Sequence, residues 1–210
     1  MKKCVCVFLF VLVTVTLISF VGCKHDGDPE PANFVGEWRS TDGSATVTMD
    51  DGKFTTAMGD LGLKGTYTVD GNTATTSKVQ IPGEMTGGQT VSVSFTMKMV
   101  DGNDVMKLTV PAELTGDKPF DMTFVKKSTT KPDLIGTWTG KVDLDGKGTL
   151  GEVRIVFTGN TATLTMGGET FEDTVEQEGN FFSLVKFGIT GMISASGKAY
   201  IADGSVFTKQ

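Results

Sequence analysis

The side chains best suited to nucleophilic chemistry are few in this sequence, and all of them lie near its start. The chain of 210 residues contains three cysteines, Cys4, Cys6 and Cys23, and a single histidine, His25. A catalytic nucleophile needs a base beside it in the fold, but His25 lies in a polar stretch only two residues beyond Cys23. Acidic residues are plentiful enough for a glycosidase-like carboxylate pair, yet most of them fall in turns or at outward-alternating positions. We therefore predict a protein that is not an enzyme and has no catalytic residues.

Two segments have some of the features of metal sites. Residues 143–146, Asp-Leu-Asp-Gly, begin like a calcium-binding loop, but no glutamate stands at the twelfth position of that loop. Met97 and Met99 place two thioethers on one strand face, as a copper(I) site would, but several apolar residues share that face. The sequence thus predicts a hairpin turn at 143–146, a core or pocket lining at Met97 and Met99, and neither a metal nor a cofactor.

Cys23 follows a segment that has the features of an export signal. The chain begins with two lysines at positions 2 and 3, continues with a nearly unbroken apolar run at 5–21, and reaches Cys23 through Val21 and Gly22. This junction resembles the lipobox of bacterial lipoproteins, with Phe20 in place of the usual leucine. The resemblance implies cleavage before Cys23, a palmitate-type lipid on its thiol, and a location in the bacterial cell envelope. We favour the outer membrane over the inner one, although the sequence does not decide which membrane or which face carries the protein. An ordinary signal peptide or an uncleaved anchor is the alternative.

The charge and the cysteine content restrict the partners of the processed chain. Cleavage after residue 22 removes two of the 19 basic residues and none of the 25 acidic ones, which leaves a net charge of −8. Such a chain, without a clustered basic stretch, is not expected to bind nucleic acid, whose affinity comes from neutralised phosphates. No cysteine follows Cys23, so the folded part must be stable without disulfides. The predicted membrane attachment is the lipid at Cys23.

One pattern occurs twice in the rest of the chain. Residues 34–38, Phe-Val-Gly-Glu-Trp, recur as 134–138, Leu-Ile-Gly-Thr-Trp, and Trp38 and Trp138 are the only tryptophans. Each copy also ends on a short apolar strand followed by lysine, at Lys126 and Lys209. Such internal repetition indicates two structural units of the same kind.

Within each copy, apolar and polar residues alternate with a period of two, as expected of half-buried strands. Six Asp-Gly dipeptides separate the alternating runs, and this dipeptide favours tight hairpin turns. About eight short strands fit each copy, so we predict an all-β protein with two independently folded antiparallel up-and-down barrels. The predicted segments are a signal peptide at 1–22, a lipidated tether at 23–33, a first barrel at 34–127, a linker at 128–132 and a second barrel at 133–210.

A Gly-x-Trp strand that opens an up-and-down barrel resembles the lipocalin-like superfamily, in particular small bacterial lipocalin-like lipoprotein domains. The resemblance implies that Trp38 and Trp138 pack at the closed ends of the barrels. It also implies that Gly36 and Gly136 permit a close approach there. In that family an arginine of the last strand often covers the tryptophan, and in this chain Lys126 and Lys209 are the nearest substitutes.

The sequence also suggests where a ligand would bind. Seven of the nine methionines after residue 22 belong to the first copy, which is also the longer one, and methionine lines adaptable apolar surfaces. We therefore expect a small apolar ligand in barrel 1, near Phe95, Met97 and Met99, and less space in barrel 2. The alternative is a surface lipoprotein with filled barrels that binds host or envelope proteins through its outer strand faces and loops. Asp173 has the parity of an inward residue, which predicts a bulge or a strand end near a barrel mouth.

Overall fold

The computed structural model describes residues 32–59, 61–83, 88–143 and 149–210, and they form two closed antiparallel β-barrels of eight strands each. The prediction of an all-β protein with tandem barrels is confirmed. Barrel 1 lies between Gly36 and Lys126, and barrel 2 between Gly136 and Lys209. The predicted signal peptide, Cys23 and most of the tether lie outside the described residues.

The strands follow one another along the chain with short connections. Those of the first copy are β1 Gly36–Ser40, β2 Ala45–Asp50, β3 Lys53–Met58, β4 Leu61–Asp70, β5 Thr73–Thr76, β6 Val79–Ile81, β7 Val91–Val93, β8 Thr96–Asp101, β9 Val105–Val110 and β10 Phe120–Lys126. A short helix, α1, spans Ala112–Thr115. Those of the second copy are β11 Gly136–Asp143, β12 Leu150–Thr158, β13 Thr161–Met166, β14 Glu169–Glu178, β15 Phe181–Leu184, β16 Ile189–Ile193, β17 Lys198–Ile201 and β18 Val206–Lys209.

The alternation seen in the sequence decides which side chains enter the barrels. On β8, Met97 and Met99 are buried while Thr96 and Lys98 are exposed, and on β13 Ala162 and Leu164 are buried. Because neighbouring side chains of a strand point to opposite faces, each strand supplies one row to the core and one to the outside. The sheet order in barrel 2 is the chain order, β11 to β18, so this barrel is a plain up-and-down meander.

Barrel 1 departs from that meander by an insertion between β5 and β8. The sheet order there is β1-β10-β9-β8-β5-β4-β3-β2, and β6 and β7 pair with each other as a separate hairpin. A hydrogen bond joins the two ends of this insertion where the hairpin leaves the barrel. The Phe95 amide donates to the Thr76 hydroxyl oxygen over 2.9 Å. Apolar and polar residues alternate without interruption from position 91 to 99, a pattern that predicts a single strand. The structure divides it into β7 and β8.

The inserted hairpin and α1 close one end of barrel 1. The hairpin leaves from the end of the barrel opposite the β2–β3 turn, and the β9–β10 connection that carries α1 lies at the same end. Val79, Ile81 and Val93 of the hairpin are buried in the core of barrel 1, and Leu114 of α1 packs against that core. The additional residues of the first copy therefore form an apolar plug.

The two barrels share a buried apolar interface that the polar linker did not predict. Val105 and Val125 of barrel 1 form a cluster with Met192 and Tyr200 of barrel 2, and Phe181 packs against it. Val105, Val125 and Met192 are fully buried. Because these four side chains lie outside the barrel cores, their burial comes from contact between the barrels.

Polar contacts centred on Asp101 add to this interface. The Asp101 carboxylate accepts hydrogen bonds from the Ser196 hydroxyl at 2.7 Å and from the Tyr200 hydroxyl at 2.8 Å, and it lies 3.2 Å from the Lys198 ammonium. The hydrogen bonds from Ser196 and Tyr200 lower the pKa of the Asp101 carboxyl, although burial opposes them, and Lys198 lowers it further. Burial, together with the bond to Asp101, raises the pKa of the Tyr200 hydroxyl. One carboxylate of barrel 1 thus binds three side chains of barrel 2.

Asn180 fixes the linker at the same interface. Its side-chain amide donates to the carbonyl of Lys126 over 3.0 Å and to that of Ile193 over 2.9 Å, and its side-chain oxygen accepts the Ser128 amide. The buried Asn180 side chain therefore joins the last strand of barrel 1, the linker and β16.

Candidate functional site

Each barrel has the same arrangement around its tryptophan. Trp38 and Trp138 are buried, and the indole Nε1 of each donates to a carbonyl four residues earlier, in Phe34 and Leu134 respectively, over 2.8 Å. Phe34 and Leu134 are buried as well, so the segment before the first strand folds across the end of its own barrel. Both tryptophans therefore serve the fold and are not available to a ligand.

The lysine of each last strand lies over the tryptophan. The Lys126 Nζ is 5.6 Å from the centre of the Trp38 ring, and the Lys209 Nζ is 5.9 Å from that of Trp138. These are cation–π distances, and the lysines stand where the lipocalin-like resemblance implies a basic side chain.

Gly36 and Gly136 leave room for these lysines. Their backbone φ angles are +141° and +129°, values that residues other than glycine rarely adopt. A Cβ at Gly36 would lie 2.5 Å from Cε of Lys126, and one at Gly136 would lie 3.0 Å from Cε of Lys209. The close approach implied by the sequence is thus the approach of the lysine stem that crosses the tryptophan.

The predicted ligand site in barrel 1 has little free space. Phe95, Met97 and Met99 are all buried, and Phe95 and Met97 line a cavity of about 40 Å³. Leu114 of the plug lines it too. Such a volume holds only a few water molecules. The sequence linked the longer first copy to more space, and this inference was wrong because the additional residues close the barrel.

Barrel 2 contains the larger cavity, with a volume of about 480 Å³. This size lies within the range of about 300–1,000 Å³ that is typical of small-molecule sites. Its walls come from seven strands and are apolar, with Val153, Ile155, Leu164, Met166, Ile189 and Ile201 among the lining residues. The cavity opens at the end where β11 ends and where the hairpins β13–β14, β15–β16 and β17–β18 turn, which we call the mouth. Sequence reasoning missed this site, and the indication it overlooked was the absence of long insertions from the second copy.

Asp173 holds one side of the mouth in place. It is 3% exposed, and its carboxylate accepts the backbone amides of Thr174 at 2.6 Å, Lys186 at 2.9 Å and Phe187 at 3.1 Å. Burial raises the pKa of this carboxyl, but the hydrogen bonds from Lys186, Phe187 and Thr174 outweigh it and the net shift is downward. Asp173 lies within β14 and beside the end of β15, so the prediction of a bulge or a strand end at this residue was wrong, although the residue does lie near the mouth.

Phe187 is positioned by these bonds at the edge of the cavity. Its ring meets the Phe171 ring edge to face, with 5.8 Å between the ring centres, and both rings line the cavity. Phe187 is 43% exposed, unlike the residues of the cavity walls. An exposed aromatic ring at the entrance of an apolar cavity provides the first apolar contact for an entering ligand.

The described residues offer no comparable site for a metal ion. In that part of the chain, no group of three or more histidine, cysteine, aspartate or glutamate side chains lies close enough to hold a cation. None of its helices combines the length and the hydropathy needed to cross a bilayer.

Comparisons of the chain with protein-family models, with curated proteins and with solved structures found no match.

Proposed function

We propose that this chain is a non-catalytic binding protein of the bacterial cell envelope that holds one small apolar ligand in barrel 2. The observation that supports this proposal is the open apolar cavity of about 480 Å³. Burial of apolar ligand surface there contributes about 25 cal/mol per Å² to the free energy of binding. A cavity of this size can therefore bind an apolar ligand without many polar contacts. Barrel 1, whose cavity is about 40 Å³, has the role of a closed companion domain.

A tryptophan at position 166 tests this proposal. Met166 lines the cavity near the mouth, so we expect Met166→Trp to fill part of it without disturbing the closed end. The probe is the neutral dye N-phenyl-1-naphthylamine, whose fluorescence rises in apolar surroundings. We expect saturable binding of one dye per chain, and a dissociation constant at least about tenfold higher in Met166→Trp, which corresponds to about 1.4 kcal/mol.

Thr165→Trp is the matched control, because Thr165 is on the same strand and has the outward parity. We expect it to bind the dye as the unchanged protein does. Circular dichroism checks that both variants keep their strands. Equal binding by Met166→Trp and Thr165→Trp would contradict a site inside barrel 2.

Exposed apolar side chains at the mouth support a second candidate function. Leu150 and Val185, at hairpin ends, are 61% and 50% exposed. Such residues suit a surface module that binds host or envelope proteins, the alternative drawn from the sequence. If the unchanged protein shows no saturable dye uptake, this second function replaces the first.

We also propose that Cys23 carries the lipid that attaches the protein to the envelope membrane, as part of a lipoprotein with tandem lipocalin-like barrels. The support is the apolar run at 5–21 and the small residues directly before Cys23. Cells grown with radioactive palmitate are expected to label the unchanged protein and not Cys23→Ala. Cys6→Ala is the control and should keep the label, since residue 6 leaves with the signal peptide. Label on Cys23→Ala would refute the assignment.

A further inference from the structure

We infer that the ligand of barrel 2 is an amphiphile with an apolar chain and a positively charged head group. This inference rests on the proposed function, because it concerns the same cavity. It comes from the charges that surround the mouth, whereas the proposed function comes from the apolar walls.

Asp203 is the central residue of this argument. Among the described residues that line the cavity it is the one with an ionisable side chain, and it lies in the β17–β18 turn. Its carboxylate accepts the backbone amide of Ser205 over 2.8 Å, which holds it in the turn at the mouth. A head group that remains at the mouth while its chain occupies the cavity therefore meets this carboxylate.

Among the described residues at the mouth, most of the other charges have the same sign. Glu169 begins β14 opposite Met166, a residue of the cavity wall, so its carboxylate lies at the mouth. Asp173 adds a buried carboxylate, which accepts three backbone amides. The described residues therefore place three acids, Asp203, Glu169 and Asp173, at this end of the barrel.

Lys186 is the basic residue at these described hairpin ends, and its positive charge acts on the Asp173 carboxyl, whose pKa it helps to lower. Its Nζ donates to the main-chain carbonyl of Glu172 over 3.3 Å. Among the described residues, Lys186 thus offsets the charge of Asp173, and an anionic head group at the mouth would face the carboxylates of Asp203 and Glu169.

The physical consequence is a preference by charge. Low-dielectric walls beside a group of like charges strengthen the local potential, so a cationic head group is attracted and a carboxylate repelled. The mouth is open to solvent, and salt screens charges there over about 10 Å at 0.1 M ionic strength. We therefore expect a preference of moderate size that weakens as salt is added.

Displacement of the neutral dye by three twelve-carbon amphiphiles tests the inference on the purified protein. The competitors are dodecyltrimethylammonium, dodecanol and dodecanoate, which share a chain and differ in head-group charge. At low salt we expect dodecyltrimethylammonium to displace the dye at an about tenfold lower concentration than dodecanoate, with dodecanol in between. Asp203→Asn should reduce that ratio to about threefold.

Asp70→Asn is the matched control, because Asp70 also precedes a glycine in a hairpin turn but belongs to barrel 1. It should leave the ratio unchanged. Dodecanoate that competes as well as the ammonium compound, or a ratio that Asp203→Asn does not alter, would overturn the inference while dye binding still supports the cavity. Absence of displacement by all three amphiphiles would overturn the inference too, whereas absence of saturable dye binding would overturn the proposed function.

Discussion

Replacement of Met192 by aspartate is expected to separate the two barrels and to lower the free energy of unfolding by about 3 kcal/mol or more. Met192 is fully buried between the barrels, where it packs with Val105, Val125 and Tyr200. An aspartate in its place would leave a buried carboxylate among apolar side chains. The barrels then lose the apolar contact that joins them, whereas their own cores remain intact.

Thermal unfolding followed by circular dichroism measures this effect. We expect one cooperative transition for the unchanged protein, and for Met192→Asp a lower midpoint with a transition that divides into two. Hydrogen exchange should become faster at Val125 and Asn180, which border the interface. Met192→Leu is the control, since a swap of similar volume costs less than about 1.5 kcal/mol. Unfolding of Met192→Asp like that of Met192→Leu would mean that the interface does not couple the barrels.

Replacement of Trp38 by alanine is expected to lower the free energy of unfolding by about 4 kcal/mol, within the range measured for large buried aromatics. Trp38 has no exposed surface, and its loss would leave a cavity at the closed end of barrel 1. The buried carbonyl of Phe34 would lose the hydrogen bond from Nε1, and Lys126 would lose the ring beneath it. Three stabilising contacts therefore disappear together.

Urea unfolding, followed by circular dichroism, gives the free energy for this variant. Val35→Ala is the matched control, because Val35 belongs to the same Gly-x-Trp segment but is 44% exposed. A change of less than about 0.5 kcal/mol is expected for it. A loss below about 1 kcal/mol in Trp38→Ala would show that the tryptophan does not close the barrel.

The amino-acid sequence by itself determined the two barrels. The period of two assigned Met97 and Leu164 to the inner faces, and the repeated Gly-x-Trp segment marked the first strand of each copy. The closed ends, and the positions of Lys126 and Lys209 near the tryptophans, were implied by the resemblance of that segment to lipocalin-like domains. The barrels themselves could be predicted because local alternation decides which face of a strand is buried and because the repeat indicates two units of one kind.

Tertiary structure alone decided where the free space lies. The length of the first copy gave no indication of whether the additional residues widen the barrel or close it. Hairpin β6–β7 and α1 fold across the open end because Ile81 and Val93 are buried there and Leu114 packs against the same core. The second copy lacks such a plug, and its cavity stays open at the mouth. Whether additional residues close a barrel depends on contacts between parts of the chain that are distant in sequence. Strand alternation is a local pattern and does not describe such contacts.

The interface between the barrels was also decided by tertiary structure, although the sequence carries a trace of it. Where both faces of a strand are buried, adjacent residues are apolar, as in Val105-Met106, Phe124-Val125 and Met192-Ile193. One residue of each pair enters its barrel and the other contacts the partner barrel. Alternation shows which residues can point inward. It does not show what covers the outer face, because that depends on how two separately closed barrels meet.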